Sequence, residues 1–134
     1  MNIIRIVGIV LLRRPNLAVV ATSLWCMLIF TASAQPHLRI SSDDTLDLIL
    51  RKTAHAAVYA VLCILASMTA AQEGQLSERS LRIGALASVA YAITDELHQL
   101  TVAGRHGSPI DVVIDAMGVL LGTAVLRRTG MLHA

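Results

Sequence analysis

The sequence predicts an all-α protein: a small integral membrane bundle of four transmembrane helices. Three observations carry that expectation. The chain is 55% hydrophobic and only 15% charged, whereas a soluble domain carries about 25% charge. The apolar mass is Ala, Val, Leu and Ile, because aromatic residues make up just 3%. These apolar residues gather into four runs, each close to the roughly 20 residues a helix needs to cross a bilayer core. At 134 residues the chain has the size of one domain. A formal charge of +2 with no basic stripe argues against a nucleic-acid partner.

Residues 1–14, "MNIIRIVGIVLLRR", are apolar but carry Arg5, Arg13 and Arg14. They read either as a short interfacial helix or as a flexible cytoplasmic end, ahead of a transmembrane domain over 15–134. The first span, 15–34, has no charge at all. Its end, "TASAQ", contains Ala32-Ser33-Ala34, which also fits a signal-peptidase site. "LRRPNLAV" holds a twin arginine, although the rest of that motif is poor. Cleavage after Ala34 would leave three spans, but the apolar run is long enough to stay as an anchor. The second span, 53–71, can be charged only at His55. The third, 83–100, is apolar for three turns and then acidic. The fourth, 109–126, has Asp111 and Asp115 near its start.

A carboxylate at mid-membrane costs about 2.5–3.5 kcal/mol on insertion scales. The acids of the third and fourth spans lie toward one end of each, which lowers that cost. Two spans plus a buried hairpin is the alternative. Gly, Ala, Ser and Thr are frequent in all four runs and allow close helix contact in lipid. Cys26 and Cys63 sit inside apolar runs and read as packing residues rather than a disulfide.

Orientation follows from the basic residues of the loops. With the N-terminus cytoplasmic, the inner side holds seven arginines: Arg5, Arg13, Arg14, Arg79, Arg82, Arg127 and Arg128. The outer side holds four basic residues: Arg39, Arg51, Lys52 and Arg105. Both termini are therefore expected inside a cytoplasmic membrane. Lys52, His55 and Tyr59 are spaced i, i+3, i+7 and share one face at the outer end of the second span. Glu96 and Gln99 share a face of the third span, with Tyr91, Asp95 and His98 on a neighbouring one. Asp111, Asp115, Gly118 and Gly122 form a stripe on the fourth. The link "TVAGRHGSP" places Arg105 between Gly104 and Gly107. Ser108 is set to cap the fourth helix, with Pro109 at its first position. Residues 94–115 thus carry four carboxylates because they line a polar site at the outer membrane boundary.

These residues resemble a known family. "LRKTAHAAVYAVLCIL" is similar to the K-x-x-H-x-x-x-Y pattern of VanZ-like membrane proteins. "DELHQLTVAGRHGSPIDVVIDAMGVLLG" resembles that family's E-x-x-Q, loop Arg, Ser-x-x-Asp and Gly-rich last helix. "FTASAQP" is similar to its Ser-x-Gln-Pro border, which favours keeping the first span. Carried over, the family's polar positions fall on Lys52, His55, Tyr59, Glu96, Gln99, Arg105, Ser108, Asp111, Gly118 and Gly122. Two departures stand out. Asp115 occupies a position where the family usually has Asn, and "LTV" replaces the aromatics that often follow the Gln.

The resemblance implies a membrane protein of the cell envelope, in a family whose name member is associated with resistance to the glycopeptide teicoplanin. The expected partners are membrane lipids and an envelope component, lipid-linked ligand or glycopeptide. No cofactor is expected. A metal held by His55, His98, Asp95 and Glu96 has no supporting motif. Three further readings stay open. In one, the chain is an enzyme acting on a lipid head group, with Lys52 and Arg105 on an anionic group, Glu96 or His55 as acid or base, and Asp111 orienting them. In another, it is a scaffold whose ion pairs, Glu96 with Arg105 and Asp111 with Lys52, are purely structural. The last is a small proton-coupled transporter.

Overall fold

The computed structural model describes residues 3–35, 41–103 and 107–133. Helices cover each of the four predicted runs: α2 (Pro15–Ser33), α3 (Asp44–Thr69), α4 (Glu78–Gln99) and α5 (Pro109–Arg128). A fifth, α1 (Ile3–Arg13), precedes them, so the N-terminal segment is helical. Two-residue strands β1 (Leu76–Ser77) and β2 (Leu132–His133) pair in parallel and tie the C-terminal tail to the α3–α4 connection.

Local chemistry sets the boundaries. Pro15 disfavours helical backbone at the residue before it, so the chain breaks at Arg14 and restarts with Pro15 at the first helical position. α3 begins nine residues before the expected span because the Asp43 side chain accepts from Leu46 N (2.8 Å) and caps it there. Its 26 residues extend about 39 Å, beyond a hydrocarbon core of about 30 Å. The first turns, with Asp44, Asp47 and Arg51, therefore project past the apolar zone. α4 begins at a capping box in which Ser77 and Ser80 bond reciprocally. Between α3 and α4 the chain reverses through Glu73 (φ 53°) and Gly74 (φ 71°), closed by Gln75 N donating to Gln72 O (2.9 Å). Two successive left-handed residues are what a tight two-residue turn requires, and glycine takes the second without strain.

α3, α4 and α5 pack against one another, and α2 lies against α3 and α4. Trp25 Nε1 donates to Val58 O (2.9 Å) and joins α2 to α3. Tyr91 Oη donates to Cys26 O (2.7 Å) and joins α4 to α2. Gly118 and Gly122 on α5 face the backbone of Ala56 and Ala60 on α3, and Gly84 on α4 faces the backbone of Ser67. These contacts let main chains approach closely where no water drives association. One core cluster (Ile29, Tyr59, Leu62, Cys63, Ala92 and Val119) fills the middle of the bundle. A second gathers Leu11, Ala18, Met68, Leu76, Leu81, Leu126 and Met131 beneath α1. Both cysteines are free and serve packing.

The outer surface is apolar. Leu24, Met27, Leu86, Leu97, Ile110, Val113, Met117 and Leu120 are each more than half exposed, a pattern suited to lipid rather than water. Among the described residues three helices, α2, α3 and α5, are long and apolar enough to cross a membrane. Of the four predicted spans, α4 is the exception. Its uncharged run, 83–94, lies between Arg82 and Asp95 and extends only about 18 Å at 1.5 Å per residue.

Candidate functional site

Four helices meet at one end of the bundle: the last turns of α2 and α4, the third to fifth turns of α3 and the first two turns of α5. Their polar side chains close on each other rather than on lipid. Lys52 Nζ on α3 donates to Asp111 Oδ1 on α5. One turn deeper, His55 Nδ1 lies 3.3 Å from Asp115 Oδ1. One turn deeper again, Tyr59 is fully buried and its hydroxyl has no hydrogen-bond partner. The i, i+3, i+7 face expected from the sequence thus looks onto α5, and the Asp111–Asp115–Gly118–Gly122 stripe looks back at it.

α4 supplies the third side. Glu96 Oε2 accepts from the Ser108 backbone N–H (2.7 Å) and anchors the start of α5. Gln99 Nε2 bridges Glu96 Oε1 (3.3 Å) and Asp95 Oδ2 (3.2 Å). Asp95, Glu96 and Gln99 are all buried. Tyr59 on α3 lies beside Tyr91 on α4, ring centroids 6.5 Å apart, so α4 closes on the same end of the bundle. Ser108 caps α5 as expected, its Oγ accepting from Ile110 N (3.2 Å). Ser108→Ala should lower stability by about 1 kcal/mol through loss of that cap. The Glu96 bond should survive, because it uses the main chain. A thermal unfolding scan of the purified variant checks the drop.

Burial divides the cluster into a rim and a floor. Lys52, His55 and Asp111 keep 32%, 28% and 20% of their side chains exposed. Asp115 is completely buried, and neither of its oxygens has a hydrogen-bond partner. His55 is the basic group placed against it. An ionised carboxylate that deep is costly unless paired, so the His55–Asp115 contact is the most consequential in the cluster.

Sequence reasoning left out two contacts. Ser33 Oγ, buried at the end of α2, donates to Asp95 Oδ1 (2.5 Å). His98 stacks on Phe30, with ring centroids 4.2 Å apart. Tyr91, Asp95 and His98 therefore form the face of α4 that docks α2. Asp95 lies on the face expected from its spacing with Tyr91 and His98, although it is not among the positions carried over from the family. His98 Nε2 is buried without a hydrogen-bond partner, and among the described residues no three His, Cys, Asp or Glu side chains are grouped to hold a metal. Arg105, Gly104 and the expected Glu96–Arg105 pair lie outside the described residues. A further buried acid, Asp47, accepts from Ser41 N (3.2 Å) and sits 2.9 Å from Arg51 Nε.

The family model described as VanZ/LLP1 matches residues 13–131 of this chain. No curated protein and no solved structure matches it.

Proposed function

The chain is a membrane protein of the VanZ/LLP1 family, and from that premise we propose that its polar end binds an envelope or lipid-linked ligand at the outer face of the cytoplasmic membrane. In this reading α4 is the fourth transmembrane helix. The acids of its last turns, Asp95 and Glu96, are buried against the neighbouring helices, while Leu86, Ile93 and Leu97 are exposed. Hydropathy alone undercounts such a helix, because these buried acids do not meet lipid. The seven arginines of the opposite end support a cytoplasmic position for both termini.

The observation that carries the proposal is the division into rim and floor. Lys52, His55 and Asp111 are accessible, and behind them stands a buried network of Asp95, Glu96, Gln99 and Asp115 that holds the helix ends in register. A ligand at the rim meets donors and acceptors fixed by that network, and the sequence adds Arg105 in the segment that links α4 to α5. Lys52 is already paired with Asp111, so the rim suits a hydrogen-bonding head group better than a bare anion. Teicoplanin resistance is the phenotype proposed from family membership. Arg105→Ala and Asp111→Asn, with membrane insertion verified, should each weaken resistance or ligand binding about tenfold, equivalent to losing roughly 1.4 kcal/mol. Unchanged susceptibility in both would favour the scaffold reading.

One contact favours a second reading. A partly exposed imidazole backed by a buried carboxylate is the arrangement that orients a general base. On that reading His55 acts on a lipid head group and Asp115 positions it. Turnover of lipid substrates by purified protein, lost in His55→Gln, would support it.

A further inference from the structure

The opposite end of the bundle carries a second polar feature, unconnected with the first. A cavity of about 310 Å³ lies between the first turn of α1 and the last turn of α5, lined by Ile4, Arg5, Val125, Arg128 and Thr129. We propose that it binds the phosphate head group of an anionic phospholipid.

The charge distribution points there first. Seven basic residues, Arg5, Arg13, Arg14, Arg79, Arg82, Arg127 and Arg128, lie at this end against two acids, Glu73 and Glu78, which leaves +5 here. Of those two acids, Glu78 is already held by Arg127 through Nε (3.2 Å) and Nη2 (2.9 Å). No acid lines the cavity, and among the described residues neither Arg5 nor Arg128 forms an ion pair. Two guanidinium groups with no carboxylate partner present planar, paired donors matched to phosphate oxygens. Thr129 adds little, because its hydroxyl donates to Leu126 O (2.6 Å).

The rest of the lining selects a lipid over a free anion. Ile4 and Val125 make the remaining wall apolar, and one turn further along α5 Leu121 is 55% exposed on the lipid-facing surface. An acyl chain leaving the cavity would run along that face. Ile4 and Arg5 stand in the first turn of α1 (Ile3–Arg13), where the helix dipole favours a negative group. The opposing dipole at the end of α5 is offset by Arg128 itself. Basic clusters at the cytoplasmic boundary of transmembrane helices attract anionic head groups.

The test uses the full chain in nanodiscs of phosphatidylcholine with increasing phosphatidylglycerol, read by lipid retention in native mass spectrometry. The wild type should retain phosphatidylglycerol over phosphatidylcholine. Arg5→Gln with Arg128→Gln should weaken that retention by more than about tenfold, as expected when charge-assisted hydrogen bonds to a bound phosphate are lost. Arg79→Gln with Arg82→Gln removes the same charge at the same end outside the cavity, and should leave retention within a few-fold. Arg5→Lys with Arg128→Lys keeps the charge and should bind in between. Equal losses in the two glutamine doubles would overturn the proposal in favour of diffuse attraction. So would a wild type with no preference between the lipids. Inorganic phosphate that competes as strongly as the lipid would overturn the lipid assignment.

Discussion

His55→Ala is expected to lower the unfolding midpoint sharply, and adding Asp115→Asn in the same chain to restore most of it. Asp115 has no solvent exposure and no hydrogen-bond donor, and His55 Nδ1 stands 3.3 Å from it. His55 is the basic group placed against that carboxylate, so each offsets the cost of burying the other. Removing one partner of a buried pair strands the other, at a cost of about 3–5 kcal/mol. Because His55 is partly exposed, the lower figure of about 3 kcal/mol applies. Asn keeps the shape of Asp without the charge, so Asp115→Asn alone should be nearly neutral. The cycle of single and double variants, measured by denaturant unfolding in micelles, isolates the pairwise term. A His55→Ala variant as stable as the parent would show that the contact compensates nothing.

Gly118→Ala should be comparably damaging, for a steric reason. A Cβ there would lie 2.8 Å from the Ala56 carbonyl carbon, 2.9 Å from its Cα, and closer still to its oxygen. Those atoms are main chain within α3, so the only relief is for α3 and α5 to separate. Overpacking of this kind costs about 1–3 kcal/mol. Separation also pulls apart Lys52–Asp111 and His55–Asp115, because Gly118 lies one turn from Asp115 and Ala56 adjoins His55. Function at the polar end should therefore fall together with stability. Gly122→Ala, whose Cβ meets the Ala60 oxygen at 2.5 Å but other atoms only at 3.2 Å, should be milder. Gly8→Ala is the control. Its Cβ would meet only the tips of Met68 and Met131, flexible groups that can move aside, so its unfolding midpoint should barely change.

Much of this arrangement was legible in the sequence, and the exceptions have physical causes. The faces of α3 and α5 could be read because polar residues at helical spacing mark which side of an apolar helix turns inward. Lys52, His55 and Tyr59 did so for α3, and Asp111 and Asp115 for α5. Ser108 and Pro109 marked the start of α5 by cap chemistry. α2 offered no such mark. It has no charge, so its rotation about its own axis was undetermined, and the Ser33–Asp95 and Phe30–His98 contacts could not be foreseen. The start of α3 was missed because "SSDDTLD" reads as loop by polarity, whereas the Asp43 cap and the Asp47–Arg51 pair make it helix. The β1–β2 pairing involves two residues per strand, too few for any alternation to show.

The central claim is that this ionic cluster faces the cell exterior while the arginine-rich end faces the cytosol. Single cysteines at Thr101, exposed beside the cluster, and Glu73, exposed in the α3–α4 turn, test it in a background with Cys26 and Cys63 replaced by Ala. A membrane-impermeant maleimide applied to intact cells should label position 101 at once and position 73 only after permeabilisation. Labelling of position 73 in intact cells, with position 101 protected, would contradict the account.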